Sequence, residues 1–264
     1  MIKYLVSLKN DELRRNIFST LFEKNYSSIR LIYAINGKNI KSSIYFEYLK
    51  KYYLSYCKII TPSELGCTLS HINILKNFLS TAHSHALILE DDVRGGDEDI
   101  LKVEEITKIL PENSIVILGG QQGLGFNKYI YGKTYINKNL YKISNFSMKF
   151  ISRSCCYLVD KKSAATIVEK LENNLEIIDH WHKIFRQSNV KFYYYPLFEH
   201  PIELSSSNIE QERAVFYIDS FWKRIKRDGV FKKIFNRIFN DIGVIYSIFK
   251  GYKKIENYEN IRKN

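Results

Sequence analysis

The sequence predicts an α/β fold: a Rossmann-type, mostly parallel sheet flanked by helices, followed by a basic amphipathic helical extension. Three observations predict it. Short apolar runs of strand length alternate with segments of helical periodicity. The spacing between the runs leaves room for crossover helices, which make neighbouring strands parallel. From Phe221 onwards the periodicity is helical alone and the charge turns strongly positive. Residues 1–220 are therefore read as the α/β domain and 221–264 as the tail, and 264 residues suffice for one substantial core.

Tyr4–Leu8 is the first strand; the stretch from Met1 is too short and too soon polar for a signal peptide. Leu13, Ile17, Phe18, Leu21 and Phe22 recur at helical spacing and predict a helix on one sheet face. Arg30–Ile35 is a second strand, closed by the turn Asn36-Gly37. Thr61-Pro62-Ser63-Glu64 is a helix start, with a hydroxyl cap, Pro at the first helical position and Glu three residues after the cap. Leu65, Leu69, Ile72, Leu75 and Leu79 continue that helix as a core stripe. Ala86–Leu89 and Ile115–Leu118 are strands, the second leading into Gly119-Gly120-Gln121-Gln122-Gly123-Leu124-Gly125. Residues 127–145, rich in Tyr, Lys and Asn, suit a strand pair or an acceptor-side loop. Ser152–Val159 is a strand, Lys161–Leu171 a helix and Val190–Pro196 a late strand.

Several function classes are excluded early. No run reaches the length of a membrane-spanning helix. Cys57, Cys67, Cys155 and Cys156 make no CxxC pair, which argues for reduced thiols and against zinc or disulfides. The glycine loop runs GxxGxG, not the dinucleotide fingerprint, and there is no Walker loop, GxSxG or HExxH. Of the net charge of +12, the segment from Phe221 holds 12 Lys and Arg against 4 Asp and Glu. Its cations are interleaved with bulky apolar residues and no nucleic-acid motif accompanies them, so nucleic acid is not the expected partner.

The chemistry sits in Ala86-Leu87-Ile88-Leu89-Glu90-Asp91-Asp92-Val93, an apolar run ending in three carboxylates. Strand alternation would put Glu90 and Asp92 on one side and Asp91 on the other. Ligands of open parallel sheets bind outside the carboxyl ends of the strands. Two acids there would seat a hard divalent cation carrying a diphosphate; solvated strand-end acids or helix caps are the alternative.

The motifs resemble those of glycosyltransferase family 25, the bacterial lipooligosaccharide transferases that include β-galactosyltransferases. Val6-Ser7-Leu8 with Arg14-Arg15 and Ala34-Ile35-Asn36-Gly37 are similar to family segments, and Thr61-Pro62-Ser63-Glu64-Leu65-Gly66-Cys67-Thr68-Leu69-Ser70-His71 resembles the family's LTPGEIGCxLSH. Cys156-Tyr157-Leu158-Val159 with Ala164-Ala165, and Ile178-Asp179, extend the likeness to roughly residues 2–210. Cys155-Cys156-Tyr157 stands where the family has Gly-Ala-Tyr, and His200-Pro201 replaces its Gln-Ser stretch.

The resemblance implies a GT-A-like fold and an inverting transfer of a hexose, galactose from UDP-galactose, onto a lipooligosaccharide. It implies Mn²⁺ or Mg²⁺ as Lewis acid on the leaving diphosphate. Asp92 is the expected direct ligand, Glu90 a second ligand or the holder of a metal-bound water, and His200 an extra ligand. Leu8, Arg14, Arg15, Ala34, Asn36, Ser70, His71 and Asp91 are expected around the nucleotide sugar, with Asp91 towards the ribose. His71 also suits a hydrogen-bonded core histidine. Asp179 is the candidate general base, or else the cap of the run His180-Trp181-His182, where Trp181 suits an acceptor platform or the core. Another UDP-sugar, a protein acceptor, or a membrane- or nucleic-acid-binding protein on a degenerate transferase fold are the alternatives.

In the tail, Phe221, Trp222, Ile225, Phe231, Ile234, Phe235, Ile238, Phe239, Ile242, Ile245 and Phe249 recur at helical spacing among Lys and Arg, with Gly229 as a predicted break. Such a stripe suits an anionic membrane surface, and the expected location is cytoplasmic, peripheral on the inner face of the cytoplasmic membrane. An ordinary helix docked on the core with solvated charges is the alternative.

Overall fold

A computed structural model of the chain describes residues 1–202, 209, 212–213 and 230–255. Its strands are β1 (Ile2–Ser7), β2 (Arg30–Tyr33), β3 (His85–Glu90), β4 (Ser114–Gly119), β5 (Tyr131–Tyr135), β6 (Asn137–Ile143), β7 (Cys156–Asp160), β8 (Lys191–Phe198) and β9 (Lys253–Lys254). They form one sheet in the order β2-β1-β3-β7-β4-β8-β6-β5-β9. β1 runs parallel to β2 and β3, and β4 parallel to β8. β7 enters antiparallel between β3 and β4, and β6, β5 and β9 add antiparallel beyond β8.

The sheet is thus mixed, which corrects the mostly parallel expectation. That expectation assumed a crossover helix between each pair of consecutive strands. Between β4 and β7 stand a 3₁₀ turn (Asn127–Tyr129), the β5–β6 hairpin and the single turn α5 (Asn145–Met148), with no crossover helix, and hairpins pair antiparallel.

Helices cover both faces. On one side α1 (Glu12–Leu21) and α4 (Asp97–Thr107) pack over Leu5, Leu87, Leu89, Val116 and Leu118. On the other, α3 (Pro62–Leu79), α6 (Lys161–Asn173) and α7 (Trp181–Ile184) pack over Tyr4, Val6, Ala86, Ile88 and Ile117. The alternation along β3 divides the two layers, as the pleat requires. The α1 stripe differs from the sequence expectation. Phe18 and the following Phe22 are buried and stacked, ring centroids 4.4 Å apart, whereas Leu13 is 74% and Ile17 53% exposed. Arg15 takes an inward position of that face. Helix α2 (Ser42–Tyr56), which the sequence reading did not find, joins Tyr52 to a small cluster with Ile60, Leu65 and Leu175.

Helix α3 starts as its sequence predicts. The Thr61 hydroxyl accepts from the Glu64 amide and Glu64 accepts from the Thr61 amide. Its first turn lies so close to the loop after β2 that both touching positions need glycine. A Cβ on Gly37 would sit 1.8 Å from the Pro62 carbonyl oxygen, and one on Gly66 2.6 Å from that of Ile35. This contact sets the width of the opening at the rim of β1 and β3.

Helix α8 (Val230–Phe249) lies against α5 and β5 at the far edge of the sheet. The expected start of the tail at 221, its break at Gly229 and residues 256–264 lie outside the described residues. No helix among the described residues is long and apolar enough to cross a membrane.

Candidate functional site

The carboxyl ends of β1 and β3, the loop after β2 and the amino-terminal halves of α1 and α3 line a cleft of about 130 Å³. Of the sequence-predicted nucleotide-side residues, Leu8, Arg14, Ala34, Asn36, Ser70, His71 and Asp91 line it, together with Glu90 and Asp92. Ser7, Asp11 and Cys67 line it as well, although sequence reasoning gave them no role. Four separate motifs thus meet in one place.

Arg15 does not join them. It is 8% exposed and donates to the Ser7 hydroxyl at 2.9 Å and to the carbonyls of Leu8 and Lys9, so it holds the β1–α1 loop. Ser70 is also bound within the fold: its hydroxyl donates to the Gly66 carbonyl at 2.6 Å and accepts from the Ile35 amide at 2.8 Å.

The three acids separate differently from strand alternation. β3 ends at Glu90, and Asp91 and Asp92 lie in the turn that follows, so the pleat no longer dictates their direction. Both face Arg14, whose Nη1 lies 3.3 Å from Asp91 Oδ1 and 3.4 Å from Asp92 Oδ2. His200 Nε2 lies 3.5 Å from Asp92 Oδ2. Burial would raise Asp92, but the His200 imidazole and Arg14 outweigh it and hold the carboxyl below its usual range. Burial would lower His200, yet Asp92 raises it. Asp91 is pushed up to about 6, chiefly by burial, with Asp92 adding to the rise and Ser7 and Arg14 opposing it. Asp91 Oδ2 and Asp92 Oδ1 are buried without a hydrogen-bond partner among the described residues. A buried carboxylate oxygen is expensive to leave unpaired. Hard oxygen donors beside an imidazole are a set that Mn²⁺ or Mg²⁺ accepts. The residues fit such an ion.

Glu90 belongs to another chain of contacts. Tyr157 is fully buried, burial raises its phenol, and its hydroxyl lies in hydrogen-bond contact with His71 Nδ1 at 2.8 Å. His71 Nε2 then faces Glu90 Oε1 at 3.2 Å. The Ser154 hydroxyl lies 3.2 Å from the same Glu90 oxygen and 3.0 Å from Asp179 Oδ1. One hydroxyl proton therefore serves two carboxylates. Asp179 does not cap α7, whose N-cap residue is His180. Trp181 is fully buried, donates its indole N–H to the Arg153 carbonyl at 3.1 Å, and is a core residue.

Cys67, His71 and Glu90 offer a sulfur, a nitrogen and an oxygen all within 4.8 Å of one another. Among the described residues no other such group of three forms, so neither Glu90, Asp92 and His200 nor Asp91, Asp92 and His200 is brought together as one ligand shell, and Asp92 with His200 stands as a pair. Ser154, Tyr157 and Cys67 are neighbours of these candidates to which the sequence reading gave no role. Tyr157 and Cys67 stood in quoted motifs, Cys67 one helical turn before His71, and Ser154 carried no signal.

The family model described as glycosyltransferase family 25 (LPS biosynthesis protein) matches residues 1–181. That is shorter than the motif resemblance and leaves β8 and His200 outside it. Human procollagen galactosyltransferase 2 is 30% identical over 97 residues, covering 34% of this chain and 15% of that protein. A rat protein named probable inactive glycosyltransferase 25 family member 3 is 28% identical over 109 residues, covering 39% of this chain and 19% of its own length. The matched stretch is thus under a fifth of these relatives. Among solved structures, A197 from STIV is 13% identical with a TM-score of 0.42, covering 77% of this chain and 87% of that one. A superposition that loose carries no argument.

Proposed function

The chain belongs to glycosyltransferase family 25, and from that premise we propose that it is a metal-dependent, inverting hexosyltransferase of GT-A type. Its donor on this reading is UDP-galactose and its acceptor a lipooligosaccharide at the inner face of the cytoplasmic membrane. The observation that carries the proposal is the pair of buried, unpartnered oxygens on Asp91 and Asp92, opening on a cleft lined by the family's motifs.

Asp92 and His200 would hold the divalent ion, and Asp91 would turn to the ribose hydroxyls. When bound, the ion neutralises charge developing on the leaving diphosphate. Arg14, already between the two acids, can turn its fork to a phosphate. Glu90, fixed by His71 and Ser154, suits an outer role better than direct ligation. Asp179 would accept the proton of the attacking hydroxyl, its carboxylate steered by Ser154.

The procollagen transferases' names support galactose as the sugar, and a protein hydroxyl is the second acceptor reading. The test is a screen of UDP-sugars by UDP release, with and without Mn²⁺, with oligosaccharide and peptide acceptors. Release from UDP-galactose that requires Mn²⁺ and rises with an oligosaccharide supports the proposal. No release from any donor with either metal overturns it.

A further inference from the structure

Helix α8 is docked the wrong way round for a helix that serves the core. Phe235, Ile238, Phe239, Ile242, Ile245, Tyr246 and Phe249 follow three-and-four spacing, and their exposures run from 50% to 85%. The face turned to the protein is small and polar. Ser247 is 1% exposed, its hydroxyl donating to the Gly243 carbonyl at 2.8 Å and lying 3.3 Å from that of Ser144. A Cβ on Gly243 would sit 2.2 Å from the Phe146 ring, so this face is already in tight contact. Asn240 accepts from Lys149 at 2.9 Å. The helix therefore grips the β5–β6 edge with its polar side and presents its apolar side outward. Contiguous apolar surface of this kind marks a binding face.

We propose that this stripe is a lipid-docking surface that lays α8 in the interfacial layer of an anionic bilayer. Charge complementarity selects that occupant. The segment from Phe221 carries a net +8. Arg237, Lys250, Lys253 and Lys254 are exposed at or just beyond the helix, and Asp241 is the single acid between Val230 and Phe249. Two such tails would repel each other across a helix–helix contact, whereas anionic headgroups attract them. Aromatic rings among aliphatic residues, flanked by cations, match the depth at which a helix lies in the headgroup boundary. In the sheet order β5 lies five strand steps from β3, roughly 24 Å at the usual strand spacing. Docking at that edge leaves the donor cleft uncovered. The proposal rests on the transferase reading only for its lipid-linked acceptor.

The test is co-sedimentation of the full chain with phosphatidylcholine vesicles, with and without phosphatidylglycerol, beside UDP release with a soluble acceptor. The wild-type chain should bind the anionic vesicles preferentially and let go as salt rises. Phe239→Glu with Ile242→Glu should weaken binding at least about tenfold, with unchanged melting and UDP release, because both side chains point outward. Arg237→Glu with Lys250→Glu should weaken it and flatten the salt dependence. Three outcomes overturn the proposal: no vesicle binding, equal binding to neutral vesicles, or a wild-type dimer that the Phe239/Ile242 variant splits. Binding is read without turnover, so it fails or stands apart from the transferase assignment.

Discussion

Two buried acidic sites in this molecule differ in what surrounds them. Glu176, 2% exposed, accepts from the Ile177 amide at 3.0 Å, lies 2.7 Å from His180 Nδ1 and 3.4 Å from the Tyr52 hydroxyl, and pairs with Lys183 Nζ at 2.8 Å. Burial would raise it, yet His180 and Lys183 bring it down to about 2. Each acid has one oxygen outside any hydrogen bond among the described residues, but that of Glu176 lies against Lys183. Asp91, 8% exposed, is pushed up to about 6, and among the same residues its Oδ2 has no such cation. Burial is comparable and the pKa shifts run in opposite directions. An acid enclosed by donors and cations is a strut, here tying α2 to α7. An acid buried short of partners is stable only if something else comes to it, and that marks a site.

The sharpest way to break this contrast is Asp92→Asn. It keeps the shape and removes charge from the proposed ion seat. Metal-dependent UDP release should fall by about a hundredfold to a thousandfold. The metal-free melting temperature should fall, because the Asp92 carboxylate, held below its usual range by His200 and Arg14, stabilises the fold in its ionised form and its loss leaves both cations short of a partner. A variant that transfers normally with Mn²⁺, or one that unfolds, would show that Asp92 is another strut.

Glu176→Gln should behave in the reverse way, leaving UDP release of the folded enzyme intact and weakening the fold. A carboxyl brought from 4.5 to about 2 corresponds to stabilisation on the order of 3 kcal/mol. Because the folded value lies below the unfolded one, that stabilisation is fully present above about 4.5 and is lost as pH falls towards 2. His182 is depressed to about 4, mainly by burial and next by His180 and Lys183. The unfolded chain therefore takes up its proton first on acidification, and His182 destabilises in the same direction from 6.5 downward. Urea titrations across this range should show a steep acid loss in the wild type and a shallower one in Glu176→Gln. Parallel curves would remove Glu176 from the strut role.

The sequence makes some of this contrast visible and hides the rest for physical reasons. The Thr61 capping box, β3 and the acidic run are local features, and local patterns carry them. The direction of β7 depends on a chain reversal after a hairpin, which no strand-length pattern encodes. In α1 the apolar periodicity fits Leu13 and Ile17 as well as Phe18; Arg15 on the inner face decides the rotation, because its guanidinium finds backbone carbonyls there. The cleft residues were legible as motif members, but their partners were not. Ser154 meets Glu90, and Tyr157 meets His71, only because β7 pairs with β3, and Glu176 gave no signal because its donors come from α2 and α7.

Arg14 offers the smallest effect and the finest test. Its side chain is 30% exposed, so the ion pairs at 3.3 and 3.4 Å should contribute no more than about 1 kcal/mol to metal-free stability. Arg14→Gln should therefore lower the metal-free melting temperature slightly. It should also enlarge the rise in melting temperature on adding Mn²⁺, because a fixed cation no longer competes for Asp92 Oδ2. If Arg14 also meets the diphosphate, KM for the donor should rise more than kcat falls. Glu176 carries its own cations and gains nothing from the metal, so Glu176→Gln should leave the Mn²⁺ shift unaltered. An identical Mn²⁺ shift in wild type and Arg14→Gln would mean that the ion does not seat at Asp92 beside Arg14.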